Sequence, residues 1–145
     1  MPSEIIIVQK KINAPAAVIW KALTTATQMK NWYFAMEKFI AEPGFSFKMY
    51  GEKEGKFFAI NCCIIEVQKN KLLSYTWSYE EYPADSTVSF ELTQKDKQTI
   101  VKLTHTGLQN IPASYEELSI ANHITGWKHI IGKLLKDYAE GVQKL

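Results

Sequence analysis

Arginine is missing from this chain. All 17 basic residues are lysine, set against 15 acidic ones for a net charge of +2. Arginine's planar fork is the usual bidentate reader of phosphate, carboxylate and guanine. The lysines are also dispersed, Lys10-Lys11 being their one adjacent pair. With neither arginine nor a basic stripe, no nucleic-acid partner is expected. Cysteine is nearly as scarce, with only Cys62 and Cys63. Neighbours on a strand point to opposite faces, and a bond between them would be strained. This pair builds no disulfide framework, which points to a reducing, cytoplasmic place and to buried free thiols. A reactive thiol would need an electropositive, partly exposed setting, and nothing beside them suggests one. No run approaches the ~18 apolar residues of a membrane span. The opening Met1-Pro2-Ser3-Glu4 has neither the basic nor the apolar stretch of a signal peptide. There is no repeat, low-complexity tract or linker, so residues 1–145 are read as a single domain.

Aromatic residues are abundant: 7 Phe, 7 Tyr and 4 Trp, or 12% of the chain. Their placement follows from the pattern of elements. Residues 4–12 read as a β-branched strand, and Asn13-Ala14-Pro15 ends it and opens a short helix with Ile19, Ala22 and Leu23 on one face. Thr25 or Thr27 is positioned to cap a second short helix running into Asn31-Trp32-Tyr33-Phe34. Next comes an antiparallel meander with period-two alternation. Its parts are a short candidate strand at Glu37–Ala41, then Phe45–Tyr50, Phe57–Val67, Leu73–Tyr79, Val88–Leu92 and Val101–His105. Gly51–Gly55, Lys69–Lys71, Pro83–Asp85 and Lys95–Gln98 supply the turns, and Gly107 ends the last strand. Glu66 is read as pointing outward, although a bulge in its long strand would decide its face. The last third reads as one helix, opened by a Ser114–Glu117 capping box and stopped at Gly141. Its apolar stripe is Ile120, Ile124, Trp127, Ile131, Leu134, Leu135 and Tyr138. Gly126 and Gly132 inside it either admit a close approach of helix and sheet or are tolerated weak spots.

This order builds an α+β domain in which a one-faced sheet curls around the only helix long enough to cover it. The rings then fall into place. Trp32, Tyr33 and Phe34 lie at the open end, while Phe47 and Met49 share one strand face and Tyr75, Trp77 and Tyr79 another. Phe90 and Trp127 complete the inward set. His105 points inward on the last strand, and His123 lies one helical turn before Trp127, so the two could meet. They are either buried histidines with local hydrogen bonds or groups that orient a ligand or move a proton. A metal would need a third ligand that the sequence does not supply. His129 falls off the stripe and is read as exposed. No Gly-x-Ser-x-Gly elbow, phosphate loop or Cys–His arrangement occurs. The acidic pairs Glu80-Glu81 and Glu116-Glu117 sit at element ends, where solvation and helix dipoles explain them.

Three stretches carry a resemblance. They are Ile12-x-Ala14-Pro15-x-x-x-Ile19-Trp20-x-Ala22-Leu23-Thr24 with Met29-x-x-Trp32, then Ile65-Glu66-Val67 with Leu72-x-x-Tyr75-Thr76-Trp77, and finally Gly126-Trp127-x-x-Ile130-x-x-x-Leu134. In this order they resemble the helix-grip fold of the START/Bet v 1-like (SRPBCC) superfamily. Within it they look most like the domain shared with activators of Hsp90 ATPase. The resemblance spans the chain and implies a curved antiparallel sheet of about six to seven strands wrapped on a long C-terminal helix, with two short helices after the first strand. It also implies an internal cavity that binds a small apolar or aromatic ligand, in a role tied to stress. Trp32, Phe34, Phe47, Met49, Tyr75, Trp77, Phe90, His105, His123 and Trp127 would be its walls. No catalytic residue, metal or cofactor is assigned. An enzyme of the cyclase, dehydratase or hydrolase kind and a chaperone contact are the alternatives, in a monomer or homodimer. The absence of arginine departs from such domains and counts against an anion-binding role.

Overall fold

A computed structural model describes residues 5–53, 55–80, 85–110 and 119–143. Strand β1 (Ile5–Ile12) leads into α1 (Ala16–Thr24) and α2 (Ala26–Trp32). The strands β2 (Ser46–Lys53), β3 (Lys56–Gln68), β4 (Leu72–Tyr79), β5 (Ser86–Lys95) and β6 (Gln98–Thr106) follow. The chain then enters α3 (Ile120–His129), a π-helical stretch (Ile130–Leu135) and α4 (Lys136–Gln143), which run on as one C-terminal helix. All six strands form one antiparallel sheet in the order β1-β6-β5-β4-β3-β2. The first strand therefore closes against the last, and each later pair is a hairpin. This is the α+β helix-grip architecture expected from the element order.

Alternation decides what faces the C-terminal helix. Along β4 Leu73, Tyr75 and Trp77 are buried; along β5 Val88, Phe90 and Leu92; along β6 Val101, Leu103 and His105. At 25 cal/mol per Å², burying such side chains contributes about 1.5–3 kcal/mol each. In β3 the register shifts between Ile64 and Glu66. Ile60, Cys62 and Ile64 point inward, and without the bulge Glu66 would follow them. The extra residue turns Glu66 out to solvent, where it accepts a bond from Gln68, and Val67 packs against the core instead. Asn70 and Asp96 make the two tight turns with φ of 65° and 57°, a conformation that Asn and Asp tolerate.

Several sequence expectations shift. Glu37–Ala41 forms no strand; the chain there touches the sheet through a bridge from Ala35 to Tyr50. Gly51 belongs to β2 rather than to a loop, because the Phe58 ring lies over it and leaves no room for a Cβ. Thr25 stands at the start of α2, but its side chain makes no capping bond. The Ser114–Glu117 box lies outside the described residues, and Ser119 caps α3 by accepting from the Asn122 N–H. The helix passes through Gly141 to Gln143. Gly126 and Gly132 face open space, so they are tolerated weak spots and not close-approach points.

The buried line of the C-terminal helix also differs from the α-period stripe. His123, Trp127, Ile131, Leu135 and Ala139 are the buried residues, at strict four-residue spacing. A step of four overshoots a 3.6-residue turn by about 40°. The wider turns of the π-helical stretch take up this drift and keep the line on the sheet. Ile120, Ile124, Leu134 and Tyr138 flank it, half-buried.

Candidate functional site

The inward rings meet between the sheet and α3. Trp77 is the hub, with its ring centroid 5.3 Å from Trp127, 5.4 Å from His105, 6.1 Å from Phe34 and 6.1 Å from Tyr79. Phe90 lies 6.0 Å from Trp127 and 5.9 Å from Tyr75, and Phe47 lies 5.2 Å from Tyr75. These are mostly tilted and edge-to-face contacts, the geometry aromatic quadrupoles prefer. Met49 is fully buried on β2 in the same core. Trp32 joins at one remove: its indole N–H donates to the Ala22 carbonyl at 2.9 Å, tying α2 to the end of α1, and its face stacks on Tyr33.

The two histidines do meet, with ring centroids 5.5 Å apart and nearly perpendicular planes. Their partners assign their protons. The Trp127 indole can only donate, and it donates to His105 Nδ1 at 3.0 Å. The neutral ring then carries its proton on Nε2, whose N–H donates to Ser86 Oγ at 2.8 Å, and the Ser86 hydroxyl donates in turn to the Trp77 carbonyl. Both nitrogens are used, and burial, with His123 beside it, lowers the His105 pKa from 6.5 to about 3. His105 is thus a neutral structural link between β4, β5, β6 and α3. On α3, His123 Nδ1 lies 2.9 Å from the Ser119 carbonyl, which can only accept. Nδ1 therefore holds the proton, and Nε2 accepts from the Tyr79 hydroxyl at 2.8 Å. Burial pushes the Tyr79 pKa up to about 12, so this phenol stays protonated near neutrality.

One polar atom in this region is left over. The indole N–H of Trp77 is buried without a hydrogen-bond acceptor among the described residues, although Tyr79 lies near enough for the N–H to oppose the rise of its pKa. Cys62 is buried and its thiol pushed far up by burial, which makes it inert, as expected of a packed cysteine. Among the described residues no three His, Cys, Asp or Glu side chains converge on a metal position, and no helix is long and apolar enough to cross a membrane. Glu80 pairs with Lys48 at 2.7 Å on the surface, and His129 is exposed.

Open concavities lie elsewhere. One of about 500 Å³ lies over the outer face of the sheet, where Ser46, Lys48, Asn61, Thr76 and Ser78 point away from the core. Another of about 530 Å³ lies beside the start of α1, against Asn70, Glu91 and Gln94. The interior between sheet and helix, by contrast, is where the rings converge. Sequence reasoning left Tyr33 and Tyr79 out of the predicted site. Tyr79 was visible in the β4 alternation that exposed Tyr75 and Trp77. Tyr33 follows α2 in a stretch with no period, so no pattern marked it as inward.

The fold recurs in solved structures. Protein MLL2253 of Mesorhizobium loti is 23% identical, with a TM-score of 0.78 over 94% of this chain and 97% of that one. Protein CV1439 of Chromobacterium violaceum is 18% identical, with a TM-score of 0.81 over 94% and 96%. DynU16, from the dynemicin biosynthetic locus, is 19% identical, with a TM-score of 0.76 over 97% of this chain, which spans about half of it (49%). Among curated proteins, none matches the chain in sequence. The family model described as activator of Hsp90 ATPase homolog 1-like protein matches residues 13–140. That match takes in α1, every strand after β1 and nearly all of the C-terminal helix, so the chain belongs to the activator of Hsp90 ATPase homolog 1-like family, within the START/Bet v 1-like superfamily.

Proposed function

We propose that this chain is a small-molecule-binding domain that takes an apolar or aromatic ligand between the sheet and α3. The ten ring, methionine and histidine positions named from the sequence form its walls, together with Tyr79. The observation that carries this reading is the buried Trp77 N–H amid the converging rings, which has no acceptor within hydrogen-bond distance among the described residues. Leaving a buried donor unmet costs about 1–3 kcal/mol, and native interiors seldom do it. A ligand carbonyl or ether oxygen beside Trp77 would remove that cost, and the surrounding rings would hold its apolar body. Family membership and the likeness to DynU16 support the same reading. Native mass spectrometry of freshly purified protein tests it. A retained organic molecule is expected, and Trp77→Phe should reduce its occupancy about tenfold through the lost bond. Purified protein that carries no adduct and binds nothing in a library of apolar aromatics would overturn it.

A catalytic reading has one observation of its own, the bonded Tyr79–His123 pair. It sets a hydroxyl against an imidazole nitrogen at the ring-lined end, a pairing through which a proton could pass, whereas the His105 nitrogens meet the Trp127 indole and the Ser86 hydroxyl. Turnover of an identified ligand that disappears in Tyr79→Phe and persists in His105→Gln would favour it. The family's description also names an Hsp90 activator; a pull-down with Hsp90 tests that partner.

A further inference from the structure

We infer that Tyr33 is a built-in occupant of this site, and that the ligand which takes its place is a phenol-like aromatic whose hydroxyl bonds to Tyr75. The inference rests on the small-molecule reading and names the ligand's chemistry. Tyr33 is the residue that ends α2, its N–H bonded to the Met29 carbonyl at 2.7 Å. From Tyr33 to Glu42 the backbone lies outside helix and ladder, tied to the sheet by the Tyr50 N–H on the Ala35 carbonyl at 3.0 Å. Yet the half-buried ring packs against the core. It stacks on Trp32 at 4.8 Å, meets Phe90 edge-on at 6.4 Å and lies 6.3 Å from Trp127. Its hydroxyl reaches the Tyr75 hydroxyl at 2.7 Å.

Two features make this ring replaceable. It is held by side-chain contacts at the end of a short helix, so it can swing out without breaking a strand ladder. Its environment is also a complete receptor for one substituted ring: a stacking face, two ring edges or tilted faces, and one hydroxyl. Tyr75 is fully buried in the middle of β4. If Tyr33 left, the Tyr75 hydroxyl would be stranded among rings. An apolar ligand would leave that hydroxyl unmet, whereas a phenol restores the pair. The burial that raises both phenol pKa values keeps them as neutral donors and acceptors. The space against Trp32, Phe90 and Trp127 is therefore held by the protein's own copy of its ligand's functional group, and binding is an exchange of one phenol for another.

The test uses p-cresol, which is the tyrosine side chain as a free molecule, and toluene, which lacks only the hydroxyl. Binding is measured by calorimetry, with 3-fluorotyrosine placed at position 33 as a ¹⁹F probe. Wild type is expected to prefer p-cresol over toluene about tenfold. Tyr75→Phe should bring the two within about twofold. Tyr33→Phe, which keeps the ring but loses its bond, should raise p-cresol affinity about fivefold. The fluorine resonance should move toward its solvent-exposed position as p-cresol saturates. Equal binding of the two probes with an unmoved fluorine signal would overturn the inference while leaving the small-molecule reading intact. Binding of neither probe by wild type or Tyr33→Phe would also overturn it; the adduct seen or missed by mass spectrometry then decides the broader reading separately.

Discussion

His105 shows how much a single neutral ring can tie together. It joins Trp127 on α3 to Ser86 on β5, and through Ser86 to the backbone of β4. Its pKa of about 3 in the fold lies below the 6.5 of an unperturbed histidine. Between those values the unfolded chain binds a proton that the folded one refuses. Stability contributed by the neutral ring is therefore complete above about pH 6.5 and lost as pH falls toward 3. The slope is at most about 1.4 kcal/mol per pH unit. Melting curves from pH 7 to pH 4 should fall more steeply for wild type than for His105→Gln, which carries no titrating ring; parallel profiles would refute the assignment. Sequence alternation had placed His105 inward and near His123, which is correct. What it could not show was that both nitrogens are committed, because Ser86 and Trp127 come from other parts of the chain.

At the scale of elements, two glycines give opposite expectations. Gly126 lies in α3 facing open space, so Gly126→Ala should stabilise by up to about 1 kcal/mol. That corresponds to a rise of about 3 °C in melting temperature, readable by calorimetry. Gly51 lies in β2 beneath the Phe58 ring, with Phe34 close by. A Cβ there must displace one or both rings, so Gly51→Ala should destabilise by about 1–3 kcal/mol and alter the near-ultraviolet dichroism. The sequence read Gly51 as a loop residue because polar neighbours and Gly55 framed it as a turn. The fact that decides its role, Phe58 crossing over β2, is a cross-strand contact that no local pattern records. The C-terminal helix teaches the same lesson: an α-helical period was legible, but the π-helical stretch that holds the His123–Ala139 line on the sheet was not.

At the scale of the molecule, stability rests on rings and aliphatic side chains and very little on charge. The ion pairs described are Lys48–Glu80 and the intrahelical Lys133–Asp137, both on the surface, and the half-buried intrahelical Lys136–Glu140. Exposed pairs of this kind contribute little and are screened by salt. Raising sodium chloride from about 0.05 M to about 0.5 M should leave the melting temperature within about 3 °C. A larger drop would mean that charge pairing matters more than the core. Ends far apart in sequence are joined by polar contacts as well: the Asn13 N–H donates to Glu140 at 2.9 Å, and Thr99 donates to the Ala14 carbonyl at 2.7 Å.

Composition and periodicity by themselves determined the α+β class, the order of the helices and strands that do form, and the inward side chains of β4, β5 and β6. Those properties follow from local hydrophobic alternation and from which residue types are present, and both are written along the chain. Only the tertiary structure decided the direction of each proton in the Trp127–His105–Ser86 and Tyr79–His123–Ser119 bonds. It alone left the Trp77 N–H without an acceptor among the described residues, turned Glu66 out through a bulge, and placed the Tyr33 phenol against Tyr75. Each of these depends on groups from different elements meeting at hydrogen-bond or ring-contact distance, which strand and helix periods do not specify.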